Sequence, residues 1–158
     1  MRLHTIQALV ENKFGVLARV AALFSARGYN IQSLAVGETL DPTVSCMTIV
    51  VQAEDELILE QIKKQLNKLI DVITVVDLTK KEYADRELLL LKYEVPRQSA
   101  DAFMKMKEKT GARLVYEKEG IFILEFTGEH HAVREFLDSS REFTVTELVR
   151  TGKIAIAK

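Results

Sequence analysis

The sequence has no tryptophan, two prolines and one cysteine in 158 residues. A single cysteine, Cys46, excludes an intrachain disulfide and a cysteine-rich zinc site, and it suits a reducing compartment. No apolar run approaches the roughly 20 residues that cross a bilayer, and the polar start of the chain does not predict a signal peptide. These absences favour a cytoplasmic protein with no membrane contact.

The chain also has no large excess of either charge, because it contains 22 basic and 23 acidic residues and its formal net charge is -1. A general nucleic-acid binder has a basic excess or a basic stripe, so this balance argues against nucleic acid as a partner. What the chain does have is 47% hydrophobic and 28% charged residues, a mixture typical of a packed globular core.

The first half of the chain alternates strand-like and helix-like patterns in the order β-α-β-β-α-β. We predict strands over residues 3–10, 31–37, 44–51 and 72–78, and helices over residues 15–27 and 55–69. This order is the split βαβ pattern of ferredoxin-like folds.

The same pattern is predicted to recur after a charged segment, residues 80–87, which lacks hydrophobic periodicity. The predicted elements are strands at 88–95, 112–116, 121–126, 145–149 and 154–157, and helices at 100–109 and 129–137. The fold class is therefore α+β, with two tandem ferredoxin-like βαββαβ units. The predicted domains are residues 1–78 and 88–158, joined by a linker at 79–87.

Residues 10–34 are the most informative stretch of the sequence. They predict a strand end, a loop containing Asn12, the glycine Gly15 at a helix start, and then Asn30 at the start of the next strand. A glycine at a helix start lets a ligand approach backbone N–H groups, which favour an anion such as a carboxylate. Since the stretch has no nucleophile or general base, we predict a binding site for a small carboxylate.

A four-stranded sheet with two helices on one face leaves its other face open. The β-rich run at residues 44–51 must place apolar side chains on both faces. We therefore expect another chain or domain to cover the open face, and a dimer through the first unit, carried by sheet edges or by helices.

Two other functions fit the same element order. An acylphosphatase-like hydrolase would use Arg19 or a loop cradle together with an asparagine on a strand, and no such convergent set is visible. An RNA-binding module needs aromatic residues on its central strands and a basic face, and residues 44–51 contain no aromatic residue.

Within residues 10–34, the residues at several positions resemble the sequence signature of a known family, the regulatory small subunit of acetohydroxyacid synthase, also called acetolactate synthase. The matching positions are 12, 15–17, 19–20, 23–24, 27–31 and 33–34, with further matches at 47–50, 59–62, 64–72, 86–88 and 150–155. The resemblance extends over essentially the whole chain.

The resemblance implies an N-terminal ACT domain that forms homodimers. Effector contacts would come from Asn12, Gly15, Val16 and Leu17 of one subunit and from Asn30 and Ile31 of the facing subunit. Two residues depart from the family pattern. Phe14 stands where a small residue or proline is common and is expected to crowd the loop, and Cys46 stands where arginine is common.

The resemblance also implies a non-catalytic role. The chain would activate the large catalytic subunit and mediate feedback inhibition by a branched-chain amino acid, most often valine, in valine, leucine and isoleucine biosynthesis. It would hold no metal and no catalytic residue, because thiamine diphosphate, FAD and magnesium belong to the large subunit in this family. The alternative is a stand-alone ACT-type amino-acid-binding regulator of another enzyme.

Overall fold

The computed structural model describes residues 2–53 and 56–158, without the side chain of Arg2. The chain forms two compact units, one containing the residues up to Ala84 together with Lys153–Lys158, and the other containing Asp85–Gly152. Within the described residues, no helix has the length and apolarity needed to cross a membrane.

The first unit is a four-stranded antiparallel sheet with two helices. Its elements are β1 (Arg2–Glu11), α1 (Val16–Ser25), β2 (Ile31–Glu38), β3 (Val44–Ala53), α2 (Glu56–Leu66) and β4 (Val72–Asp77). The strand order is β2-β3-β1-β4, so the chain order β-α-β-β-α-β and the predicted ferredoxin-like topology are confirmed. The predicted start of the second helix, Asp55, lies outside the described residues.

The core of the first unit lies between one face of this sheet and the two helices. Alternate residues of β1 and β3 point into it, including Ile6 and Ile49, which are directly opposite each other. From α1, Val20 and Phe24 enter the same core, as expected for one apolar stripe of a helix.

The second unit repeats the same arrangement. Its elements are β5 (Tyr83–Glu94), α3 (Ala100–Thr110), β6 (Arg113–Lys118), β7 (Ile121–Gly128), α4 (His130–Ser139) and β8 (Thr144–Arg150), with sheet order β6-β7-β5-β8. Short 3-10 turns occupy Arg97–Ser99 and Ser140–Glu142. Phe103 is fully buried and contacts three aromatic rings, those of Tyr93, Phe122 and Phe143.

The predicted linker differs from the structure, because β5 already begins at Tyr83, inside residues 79–87. A last strand, β9 (Ile154–Ala157), pairs with β5, and residues 153–158 belong to the first compact unit although the sequence placed them in the second domain. The physical reason is long-range pairing: the N–H of Lys158 donates to the carbonyl oxygen of Glu82 at 3.0 Å, a contact with no local sequence signal.

The open face of the first sheet is partly covered by this last segment of the same chain. The amide of Gln7 on β1 donates to the carbonyl oxygen of Ala155 at 3.0 Å, and the N–H of Lys153 donates to the Ser33 hydroxyl on β2 at 3.0 Å. On the same face of β3, Thr48 and Val50 are buried. The expected cover for apolar open-face residues therefore comes in part from β9.

Candidate functional site

The loop from β1 to α1 is fastened to the β2–β3 hairpin through Asn12. Its backbone N–H donates to the carbonyl oxygen of Thr43 at 2.7 Å, and its side-chain Nδ2 donates to Pro42 at 2.8 Å and to a Glu38 carboxylate oxygen at 3.1 Å. Because these bonds occupy the amide N–H groups, the group that Asn12 can offer to a ligand is its side-chain carbonyl oxygen.

Gly15 turns the chain into α1 with φ +80°, a left-handed conformation that favours glycine. A Cβ atom built here would lie 3.0 Å from Nη1 of Arg19, so a side chain at this position would require the guanidinium group to shift by a few tenths of an ångström. The glycine carbonyl accepts the first helical bond, from the N–H of Arg19 at 3.0 Å. Gly15 therefore lies between the loop and the guanidinium group of Arg19.

The first turn of α1 presents backbone donors. The N–H of Val16 makes a long bond of 3.4 Å to the carbonyl oxygen of Lys13. Within the part of the chain that the structure describes, the N–H groups of Leu17 and Ala18 have no acceptor, as is usual at a helix start. An anion placed at this turn would meet these donors and the positive end of the helix dipole.

The side chains of the two predicted residues in this turn differ in position. Val16 is buried in the core of the first unit, so only its backbone faces the loop. Leu17 is 45% exposed because Val16 and Val20 take the inward positions of the helix. Leu17 can therefore contribute an apolar surface to a ligand.

Arg19 also lies at this loop, although the sequence pattern did not predict it as an effector contact. Its Nε lies 2.6 Å from Oδ2 of Asp71, whose side chain is only 10% exposed. The backbone of Asp71 is tied to the same region, since its carbonyl oxygen accepts the N–H of Glu11 at 2.8 Å. The signal available in the sequence is the spacing of four residues from Gly15, which puts Arg19 above the glycine once the helix start is known.

Asn30 and Ile31 lie at the other end of α1 in the same chain. The ten residues of that helix separate the two loops by about 15 Å. Asn30 is exposed at the start of β2, and Ile31 packs against the core cluster. A single chain does not bring these residues to Asn12 and Gly15, so one site containing all of them requires a second subunit.

The two departures from the family pattern have simple environments. Phe14 is 98% exposed, so it does not crowd the loop as expected; its ring points away from the packed residues. Cys46 is partly buried on β3, where burial raises the pKa of its thiol above the ordinary value. A thiol with a raised pKa is a poor nucleophile at neutral pH.

The described residues were compared with two other kinds of site, a metal site and a surface hollow. In residues 2–53 and 56–158, no group of three or more His, Cys, Asp or Glu side chains is arranged to hold a metal ion. Two surface hollows of about 480 and 580 Å³ lie in the second unit, and neither is lined by any of the six predicted effector residues.

The first of the two ferredoxin-like units belongs to the ACT class of proteins, because the profile described as "AHAS small subunit-like ACT domain" matches residues 6–74. The profile described as "Small subunit of acetolactate synthase" matches residues 86–158. The chain belongs to the acetolactate synthase small-subunit family.

Individual relatives agree with this family. The chain is 44% identical over 155 residues to the probable acetolactate synthase small subunit of Archaeoglobus fulgidus, covering 98% of this chain and 96% of that one. It is 37% identical over 159 residues to the small subunit of Aquifex aeolicus, covering 100% and 82%. The crystal structure of the Thermotoga maritima small subunit superimposes with a TM-score of 0.86 at 33% identity, covering 100% and 98%. The resemblance and the fold class deduced from the sequence are thus confirmed.

Proposed function

We propose that this chain is the non-catalytic regulatory subunit of an acetolactate synthase, which it activates and through which a branched-chain amino acid, most often valine, inhibits the enzyme. The observation that carries the proposal is the β1–α1 loop. It combines a left-handed glycine, the N–H groups of Leu17 and Ala18, which have no acceptor among the described residues, and the exposed apolar side chain of Leu17. Backbone donors suit the effector's carboxylate, and an apolar wall suits its branched side chain.

The effector site is completed by a second copy of the chain. Strand β2 lies at one edge of the first sheet, so it is available for pairing with its counterpart in a partner subunit. Antiparallel pairing of two β2 strands would bring the partner's Asn30 beside Glu38, the last residue of β2. Since Glu38 accepts a hydrogen bond from Asn12, this arrangement brings together the two halves of the predicted site.

The large catalytic subunit is the partner on which regulation acts. The relatives named above are small subunits by their descriptions, and this chain covers most of their length. We expect thiamine diphosphate, FAD and magnesium to be bound by the large subunit and not by this chain. This chain regulates the large subunit through a conformational equilibrium that effector binding shifts.

Reconstitution with a cognate large subunit tests the proposal. We expect the full chain to raise acetolactate formation several-fold, and valine, leucine or isoleucine to reduce it. Gly15→Asp should abolish the inhibition, because it puts a negative charge where the effector carboxylate would lie. Gly111→Asp is the matched control: Gly111 is also left-handed, with φ +71°, a Cβ there would meet nothing within 4 Å, and it lies in the second unit.

The outcomes separate the candidate functions. Stimulation without any response to the three amino acids would contradict feedback regulation. Amino-acid binding without stimulation of the large subunit would favour the alternative, a stand-alone ACT-type regulator of another enzyme. Equal loss of inhibition in the Gly15 and Gly111 variants would contradict an effector site at the β1–α1 loop.

Dimerisation through β2 has its own test. Val36 on β2 and Val115 on β6 are 45% and 51% exposed, and both strands lie at sheet edges. Val36→Lys should shift sedimentation of the full chain toward monomer, since lysine on an edge strand opposes pairing. Val115→Lys should leave the mass unchanged, and a dimer that tolerates Val36→Lys would contradict pairing through β2.

A further inference from the structure

We propose that Arg19 binds the carboxylate of the amino-acid effector and that Asp71 is the residue that positions it. This inference rests on the proposed effector site and adds a charged side chain to a site otherwise built from backbone N–H groups and Asn12. It also assigns a role to Asp71, which lies 52 residues from Arg19 in the sequence and outside the β1–α1 loop.

The geometry of the pair leaves most of the guanidinium group unused. Asp71 engages only Nε, through Oδ2 at 2.6 Å. In the described residues, Nη1 and Nη2 have no acceptor, so four N–H donors of Arg19 remain available. Nη1 is also the atom that a Cβ on Gly15 would approach to 3.0 Å, which places these donors over the glycine.

The Asp71 carboxylate is well suited to hold an arginine in one place. Its side chain is 10% exposed, whereas that of Arg19 is half-exposed, so the anchor is packed and the guanidinium tip faces solvent. The anchor is itself fixed to the end of β1 by the bond between the Glu11 N–H and the Asp71 carbonyl oxygen. A long side chain that is already immobilised loses less conformational entropy when a ligand binds.

Charge alone does not explain the arrangement. Asp71 balances Arg19, and Glu11 balances Lys13 through a contact of 2.8 Å, while the Glu38 carboxylate that accepts from Asn12 adds a negative charge. What Arg19 adds is a planar set of directed donors, which match the two oxygens of a carboxylate. Together with the N–H groups of Leu17 and Ala18, these donors would surround a carboxylate above Gly15.

The inference also explains why position 15 must be glycine. A left-handed backbone favours glycine at both Gly15 and Gly28, but a Cβ would meet nothing within 4 Å at Gly28. At Gly15 a Cβ would require the Arg19 guanidinium group to shift by a few tenths of an ångström. A substitution there therefore disturbs the position of Arg19 as well as straining the backbone.

Calorimetric titration of the full chain with L-valine, L-leucine and L-isoleucine tests the role of Arg19. We expect Arg19→Gln to weaken binding of the preferred effector by about tenfold or more, the loss typical of a charge-assisted hydrogen bond. Arg19→Lys should recover part of the affinity. Asp71→Asn should weaken binding although Arg19 itself is unchanged, because the guanidinium group loses its ionised anchor. Arg113→Gln, which removes an exposed arginine of the second unit, is the control and should bind as the unaltered chain does.

A second measurement follows the unaltered protein and uses Arg19→Gln only to assign the signals. The guanidinium ¹⁵N signals of Arg19, assigned by their absence from Arg19→Gln, should shift when the effector is added to saturation. Those of Arg113 should stay in place. A residue that only braces the loop would weaken binding when replaced, but its Nη signals would not report a new carboxylate.

Each outcome decides between the two proposals. If the unaltered chain binds none of the three amino acids, the effector site and the role of Arg19 both fall. If it binds one of them and Arg19→Gln binds it within twofold, only the role of Arg19 is overturned. If Arg19→Gln loses affinity but the Nη signals do not move, Arg19 acts as a structural brace and the proposal is wrong.

Discussion

The hydroxyl of Tyr93 donates to the hydroxyl of Ser140 at 2.9 Å, deep in the second unit. Ser140 in turn donates to the carbonyl oxygen of Phe136 at 2.9 Å, so the tyrosine proton has one acceptor and that acceptor is already oriented. The contact joins β5 to the turn that follows α4. It places a titratable group in a position where ionisation would leave a buried charge.

Tyr93 should make the second unit sensitive to alkali. Burial raises the pKa of its phenol above the ordinary value of 10.0. Because the folded-state pKa exceeds the unfolded one, the stabilising contribution is complete below about pH 10 and is lost as the pH rises further. We expect the free energy of unfolding, measured in urea, to fall as the pH rises above about 10, and Tyr93→Phe to reduce this decline. An unchanged decline in that variant would contradict the assignment to Tyr93.

The buried carboxylate of Glu87 should contribute more to stability than an exposed one. Glu87 is only 8% exposed and binds Arg150 through two contacts, of 2.8 Å to Nε and 2.7 Å to Nη2. We expect Glu87→Gln to lower the free energy of unfolding by about 1–3 kcal/mol. Asp138→Asn, which breaks an exposed pair with Arg141, should change it by less than about 1 kcal/mol. Equal effects in urea unfolding would refute the distinction.

Phe14 should be dispensable for folding despite being a large apolar residue. Its side chain is exposed, whereas Phe24 on α1 is buried in the same unit. Phe14→Ala should leave the midpoint of urea unfolding unchanged, while Phe24→Ala should cost about 3–5 kcal/mol because it leaves a cavity. A substantial loss of stability in Phe14→Ala would show that the ring packs in solution.

The two faces of β9 should respond differently to a charge. Ala155 is buried and Ile156 is exposed, as the alternation of a strand requires. Ala155→Asp should destabilise the chain by about 2 kcal/mol or more, since it buries an unpaired carboxylate beside the amide of Gln7. Ile156→Asp should be tolerated, and thermal unfolding of the two variants would measure the difference.

Most elements could be predicted because their apolar spacing is regular. The stripe of α2 (Leu59, Ile62, Leu66) is buried as its 3.6-residue period indicates, and β7 follows the two-residue period. Gly15 lies at the start of α1, where the sequence placed it, and has a φ of +80°. The βαββαβ order then followed from the sequence of elements alone.

The contacts that the sequence pattern did not predict all join residues that lie far apart in the chain. The start of β5 has no apolar period, and its pairing with β9 is visible only in three dimensions. Asp71 was identified as part of a motif but not as the anchor of Arg19, since only the packed structure brings their side chains to 2.6 Å. The partner residues Asn30 and Ile31 remain a prediction, because they lie away from the loop in a single chain.

The position of β9 has a consequence for how the protein is made. The bond between Gln7 and Ala155 joins residues 148 apart, and the whole second unit is translated between them. The first unit can therefore form its four-stranded sheet early in synthesis, but it receives the strand on its open face only after the second unit has been translated. During that interval the face bearing Thr48 and Val50 lacks this cover. A nascent chain is therefore most exposed to non-native strand pairing in its first unit, which is the part synthesised first.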